Sequence, residues 1–146
     1  MLKLNLPEFQ CNIRKNEGNI EIFDIIRKKY VILQPEEWVR QHIVHYLINH
    51  LNYPKSLIKV ESGLYYNKLS KRTDVVAYNP DGTSQLLVEC KSFNVKINQL
   101  ALDQLSLYNA KLKSKYLLLT NGINHFCCEL SERGDYKFID NIPNYK

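Results

Sequence analysis

The tetrapeptide Asn79-Pro80-Asp81-Gly82 constrains this chain most. It stands between two apolar runs that carry charges toward one end, Arg72-Thr73-Asp74-Val75-Val76 and Leu86-Leu87-Val88-Glu89-Cys90-Lys91. Proline presets one central dihedral of a turn and glycine relieves the last position. Strands over 72–78 and 84–91 are therefore expected to pair as a hairpin. A strand period of two sends Leu87, Glu89 and Lys91 to one face and Leu86, Val88 and Cys90 to the other. Asp74, Glu89 and Lys91 thus fall on neighbouring strands, at positions where a charge is costly unless it pairs or binds something.

The flanking segments complete a core. Pro35 opens a helix over 35–47, since proline in a first turn followed by Glu36 and Glu37 suits both the backbone and the helix dipole. Its apolar stripe is Val39, Ile43, Tyr46 and Leu47. Asn52-Tyr53-Pro54-Lys55 breaks the chain before a strand over 57–65, and a basic connection over 68–72 leads into the hairpin. A second helix is expected over 98–112, then a buried apolar strand over 115–120 stopped by Asn121-Gly122. Helix, three strands, helix, strand predicts an α/β fold, a mixed central sheet flanked by helices. Short β-like runs at 19–23 and 30–33, parted by Arg27-Lys28-Lys29, predict an N-terminal β-hairpin that decorates the core. Runs at 123–130 and 136–139 predict a C-terminal hairpin. The expected plan is one domain over 1–146: an extension over 1–34, a core over 35–122 and the last hairpin over 123–146, with no internal repeat or linker.

Composition narrows the class of function. A chain of 146 residues fits one domain with a real core. Twenty basic against fifteen acidic residues, a net charge of +5, mildly favour a polyanionic partner. Cysteines at 11, 90, 127 and 128 lack the C-x-x-C spacing of a zinc site and suit a reducing cytoplasm. No apolar signal core follows Met1, and no run reaches the roughly 18 apolar residues of a membrane span. A cytoplasmic protein with no membrane partner is expected.

Two strand-borne carboxylates beside a lysine suit one chemistry in particular. Phosphodiester hydrolysis needs an activated water, stabilisation of charge on the phosphoryl oxygens and help for the departing alkoxide, and a carboxylate-held Mg²⁺ supplies all three. Magnesium takes about six hard oxygens and keeps several waters, so one or two carboxylates and a phosphate complete its shell. Asp74 and Glu89 meet that demand, and the carbonyl of Cys90 adds a further oxygen. Lys91 brings its ammonium near the attacking water or the scissile phosphate.

With these residues in view, the chain resembles the PD-(D/E)xK nucleases, and among them the amino-terminal nuclease domain of type I restriction enzyme R subunits. The resemblance runs from about Pro35 to Gly122. It rests on Pro35-Glu36-Glu37-Trp38-Val39-Arg40-Gln41, Arg72-Thr73-Asp74-Val75-Val76, Val88-Glu89-Cys90-Lys91, Gln104-Leu105-Ser106-Leu107-Tyr108 and Leu119-Thr120-Asn121-Gly122, in that order. It implies a restriction-endonuclease-like αβββαβ core and DNA cleavage dependent on Mg²⁺ or Mn²⁺. Asp74 and Glu89 would ligate the metal, and Lys91 would be the catalytic base or phosphate partner. Gln104 and Tyr108 match the Gln-x-x-x-Tyr pair of RecB-like members and, four apart, share a helix face. The family also implies a first-helix acid at the metal: Glu36, in line with Val39, Ile43 and Leu47, is preferred to Glu37, in line with Gln41, Val44 and Ile48. Thr73 stands where the family name has proline, and no G-x-x-x-x-G-K-[ST] phosphate loop occurs, so ATP-driven translocation does not carry over.

Blander readings stand beside these. An isolated Glu-x-Lys is more often a surface ion pair, and Gln104 with Tyr108 is as readily a surface glutamine beside a core tyrosine. His42, His45 and His125 read as ordinary partly buried histidines, and Cys90 as a small core residue. Lys68, Lys71 and Arg72 are either a solvated turn or a grip on phosphate. The alternative function is a DNA-binding or protein-interaction module that needs a partner to cut. A homodimer and a separate partner protein both remain open.

Overall fold

The computed structural model describes residues 1–66, 70–109 and 112–146, and for residues 61–66, 70–74 and 108 the backbone alone. Strands β1 (Ile13–Asn16), β2 (Asn19–Asp24) and β3 (Lys29–Ile32) form an antiparallel sheet in that order. Helix α1 (Pro35–Asn49) follows, and a short 3-10 turn, Lys55–Leu57, leads into the central sheet. That sheet has six strands in chain order: β4 (Ile58–Tyr66), β5 (Ser70–Tyr78), β6 (Ser84–Cys90), β7 (Tyr116–Thr120), β8 (His125–Leu130) and β9 (Tyr136–Ile139). Helix α2 (Gln99–Tyr108) connects β6 to β7, which run parallel, while the other neighbours are antiparallel. A crossover helix is what a parallel pair requires.

Strand β6 is buried on both sides, and its alternation sorts the core into two layers. Leu86, Val88 and Cys90 pack with Val39, Ile43 and Leu47 of α1. Leu87 packs with Leu102 and Leu105 of α2 and with Leu117 and Leu119 of β7. Each fully buried leucine contributes about 1.5–3 kcal/mol relative to an exposed one, so the two-sided burial of β6 holds both helices to the sheet.

Both expected hairpins form and are extended, and one helix end is corrected. The N-terminal hairpin is a three-stranded sheet, because Ile13–Asn16 pairs across Glu17-Gly18, both at positive φ, onto β2. The C-terminal hairpin is part of the central sheet: β8 pairs with β7 and β9 with β8. Helix α2 ends at Tyr108 rather than at 112. Asn109 stops it by accepting a hydrogen bond from the Ser114 amide through Oδ1 and donating to the Tyr136 hydroxyl through Nδ2.

The first residues lie across the ends of β7 and α1. The Asn5 amide donates to the Gly122 carbonyl at 2.8 Å, and the Trp38 indole donates to the Leu2 carbonyl at 2.7 Å. Gly122 has φ +86°, and a Cβ there would stand 2.9 Å from Leu4 and 3.1 Å from Val39. Phe9 stacks on His45, with ring centroids 4.1 Å apart, and meets His42 edge-on, while the His42 Nδ1–H donates to the Trp38 carbonyl. Burial lowers the pKa of both imidazoles below the ordinary histidine value, against smaller opposing effects such as the Trp38 carbonyl at His42 and the Asp24 charge at His45.

Two outcomes follow from this packing. Gly122→Ala combines left-handed backbone with a clash at Leu4, and its urea denaturation should show a loss of about 1–3 kcal/mol. Because His42 and His45 resist protonation when folded, stability is fully present above the unfolded histidine pKa of about 6.5 and falls as pH drops from there through the lowered folded values. Denaturation series between pH 7 and 5 should show that slope, and a His42→Asn, His45→Gln variant should flatten it.

Candidate active site

Backbone pairing assembles the predicted charges at one end of the sheet. Asp74 on β5 lies directly opposite Glu89 on β6, and Glu61 on β4 lies directly opposite Asp74. Three acidic positions therefore stand in one row across three strands. Like charges directly opposite each other destabilise a sheet, and a cation between them removes the penalty. Sequence reading did not single out Glu61: its place in the row depends on the β4–β5 register, which passes through an irregularity between Ser62 and Leu64.

Glu89 is only 4% exposed. The Lys91 ammonium lies 3.7 Å from its Oε2, an ion-pair contact longer than a hydrogen bond, and the Lys91 side chain remains 39% exposed. The Lys91 amide donates to the Thr120 carbonyl at 2.8 Å, so the end of β7 fixes the residue that follows β6. Cys90 turns its side chain to the α1 layer, as a small core residue should. The end of β7 is itself tied down. Asn121 Oδ1 accepts from the amides of Ile123 and Asn124, and its Nδ2 donates to the Val95 carbonyl at 2.8 Å, joining the segment after Lys91 to β7. Asn121 is thus a positioning residue that the sequence presented only as a strand stop.

The remaining predicted residues fall in different places. Gln104 is exposed on α2, turned away from the face that buries Leu102 and Leu105. The side chains of Asp74, Lys71, Arg72 and Tyr108 lie outside the described residues, as does all of Lys68. Among the described residues no group of three or more His, Cys, Asp or Glu side chains stands ready to hold a metal. The donor set nevertheless suits a hard cation, since it pairs a buried carboxylate with a second acid directly across the ladder.

The two acids of the first helix turn have unlike surroundings. Glu37 is buried and receives Arg27 Nη2 at 2.9 Å, Arg40 Nη1 at 2.5 Å and Gln41 Nε2 at 2.9 Å. Glu36 is 45% exposed, with Arg40 Nη2 at 3.1 Å. Gln41 bridges on to Asp24, whose carboxylate also accepts from the Arg27 amide and Nε. Burial alone would raise the Asp24 pKa, but the hydrogen bonds and charge of Arg27, with Gln41, hold it below the ordinary carboxylate range. This network fastens the β2–β3 turn to α1. Its stabilisation is present above the unfolded aspartate pKa of about 3.9 and is lost as pH falls through the lowered folded value.

The mixed sheet flanked by helices, with its β6–α2–β7 crossover, fits the restriction-endonuclease-like class of folds. Residues 35–143 match the family described as type I restriction enzyme R protein N terminus (HSDR_N), and the chain belongs to that family. A comparison with curated proteins gives no match. The matched span continues past Gly122 through β8 and β9, in keeping with their place in the central sheet. The chain is therefore a nuclease-like domain of the restriction-modification kind, and no helix among its described residues is long and apolar enough to cross a membrane.

Removing Arg40 would leave Glu37 buried with part of its compensation gone. Arg40→Ala should cost about 3–5 kcal/mol in urea denaturation, as breaking a buried ion pair does.

Proposed function

We propose that this domain is a metal-dependent DNA nuclease that hydrolyses phosphodiester bonds. The observation that carries the reading is the register of Asp74 against Glu89, with Lys91 held beside Glu89 by the Thr120 carbonyl, in a chain of the restriction-enzyme R family. Asp74, Glu89 and the Cys90 carbonyl would hold Mg²⁺ or Mn²⁺. When bound, that ion supplies positive charge to the phosphoryl oxygens and acidifies a water. Of the first-helix acids, Glu36 is the one proposed to join this set, because both Glu37 oxygens already serve Arg27, Arg40 and Gln41.

Lys91 acts on the substrate. Its exposed ammonium sits within reach of a phosphate brought to the acidic row, where it orients the attacking water and offsets charge developing on the phosphoryl group. Burial of Glu89 keeps bulk water away from one side of the reacting centre and strengthens the field of each charge there. Gln104 and Tyr108 are proposed to contact the DNA backbone from α2, and Lys68, Lys71 and Arg72 to grip phosphates ahead of Asp74.

Cleavage of single- and double-stranded DNA in Mg²⁺ or Mn²⁺ tests the reading. Asp74→Ala should lose activity on the order of 10²-fold or more. Lys91→Ala should lower kcat on the order of 10²–10³-fold with a smaller change in KM, because its charge matters most in the transition state. A wild-type protein that cuts no better than Asp74→Ala on any substrate would sink the enzyme. Salt-sensitive DNA affinity without calorimetric Mg²⁺ binding would then favour the binding module.

A further inference from the structure

A groove of about 630 Å³ runs beside the outer edge of the central sheet, between the β2–β3 turn, the 3-10 turn and β4. Its floor is apolar, from residues such as Ile26 and Ile58, and its walls carry Arg27, Lys28, Lys55 and Lys59 with no acid lining it among the described residues. Arg27 is neutralised by Asp24 and Glu37. Lys28, Lys55 and Lys59 are exposed, and none forms an ion pair among the described residues.

Three features make this more than scattered surface lysines. Asp24 Oδ1 accepts from the amides of Ile26 and Arg27, so the turn that presents Lys28 is rigid. Lys28 itself holds φ +57°, the left-handed region that favours glycine, so a lysine there is kept at a conformational cost. Lys59 pairs with Val76, two residues along from the Glu61–Asp74–Glu89 row, about 6.6 Å at the usual strand rise. Its ammonium reaches over the Tyr78 ring at 5.8 Å. Lys59 thus stands one side-chain row beyond the acids on their own face, while the rest of the groove lies around the edge strand toward the α1 layer.

We propose that this groove binds the phosphate backbone of duplex DNA outside the cleavage centre. The inference rests on DNA being the substrate of the acidic row. A second copy of the chain is disfavoured as occupant, because two such grooves would oppose like charges, and lysine on an edge strand resists strand addition. A polyanion suits both the sign of the charge and its spread along the groove.

The test is the salt dependence of affinity for a 30-base-pair duplex in EDTA, where no cleavage occurs. Each phosphate contact contributes about 0.9 to the slope of log affinity against log salt. The Lys28→Gln, Lys55→Gln, Lys59→Gln triple variant should lower that slope by about 2–3. A matched triple at Lys113, Lys137 and Lys146, all exposed, should leave it near wild type. An unchanged slope in the groove triple, an equal loss in the control, or no binding by the wild type overturns the proposal. A reduced slope in a protein whose cleavage assay fails keeps the groove and removes the nuclease. Cleavage by a protein whose groove triple keeps the wild-type slope does the reverse.

Discussion

The register of β6 between β5 and β7 is the constraint on which the rest depends. Strand β6 has a helix layer on each side, so a one-residue slip would exchange its two faces. Leu86, Val88 and Cys90 would leave the α1 layer, and Glu89 would enter it. The features that hold the register are spread along the chain. The Asn79–Gly82 turn sets β6 against β5, α2 delivers β7 in parallel, and the Lys91 amide closes the ladder on Thr120. Asn121 and Gly122 then fix the end of β7 under the N-terminal segment.

Acids inside this molecule are stabilised in two different ways. Asp24 and Glu37 are surrounded by guanidinium groups and the Gln41 amide at hydrogen-bond distance, and their task is to join the small sheet to α1. Glu89 meets a lysine ammonium at 3.7 Å and stands in register with another acid, an arrangement poor for stability and suited to a cation. The contrast is between carboxylates that join elements and one that stands in register with a second acid. The adjacent residues Glu36 and Glu37 differ likewise, one exposed and one enclosed.

The small N-terminal sheet does more than decorate. Its β2–β3 turn packs against α1 through Arg27 and presents Lys28 toward the edge of the central sheet. The β2–β3 turn joins the α1 layer at the sheet edge, and of the groove's lysines it is Lys59 whose strand position shares the face of the acidic row.

Much of this arrangement was legible in the residues themselves. The turn at 79–82, the alternation of 86–91, the start of α1 at Pro35 and the strand before Asn121-Gly122 are local features, each set by one dihedral preference or one periodicity. Local patterns therefore gave the hairpin, the shared face of Glu89 and Lys91, and the family. Tertiary structure decided what local pattern cannot encode. Pairing across strands put Glu61 into the acidic row and drew the last hairpin into the central sheet. Asn109 ended α2 early through partners at Ser114 and Tyr136, and Gln104 came to lie on the outward side of that helix. Arg27, read from sequence as part of a basic spacer, became the bond between two parts of the chain because Glu37 and Asp24 converge on it only when the chain folds. Contacts between residues distant in sequence depend on how elements pack, and no propensity of a single segment records that.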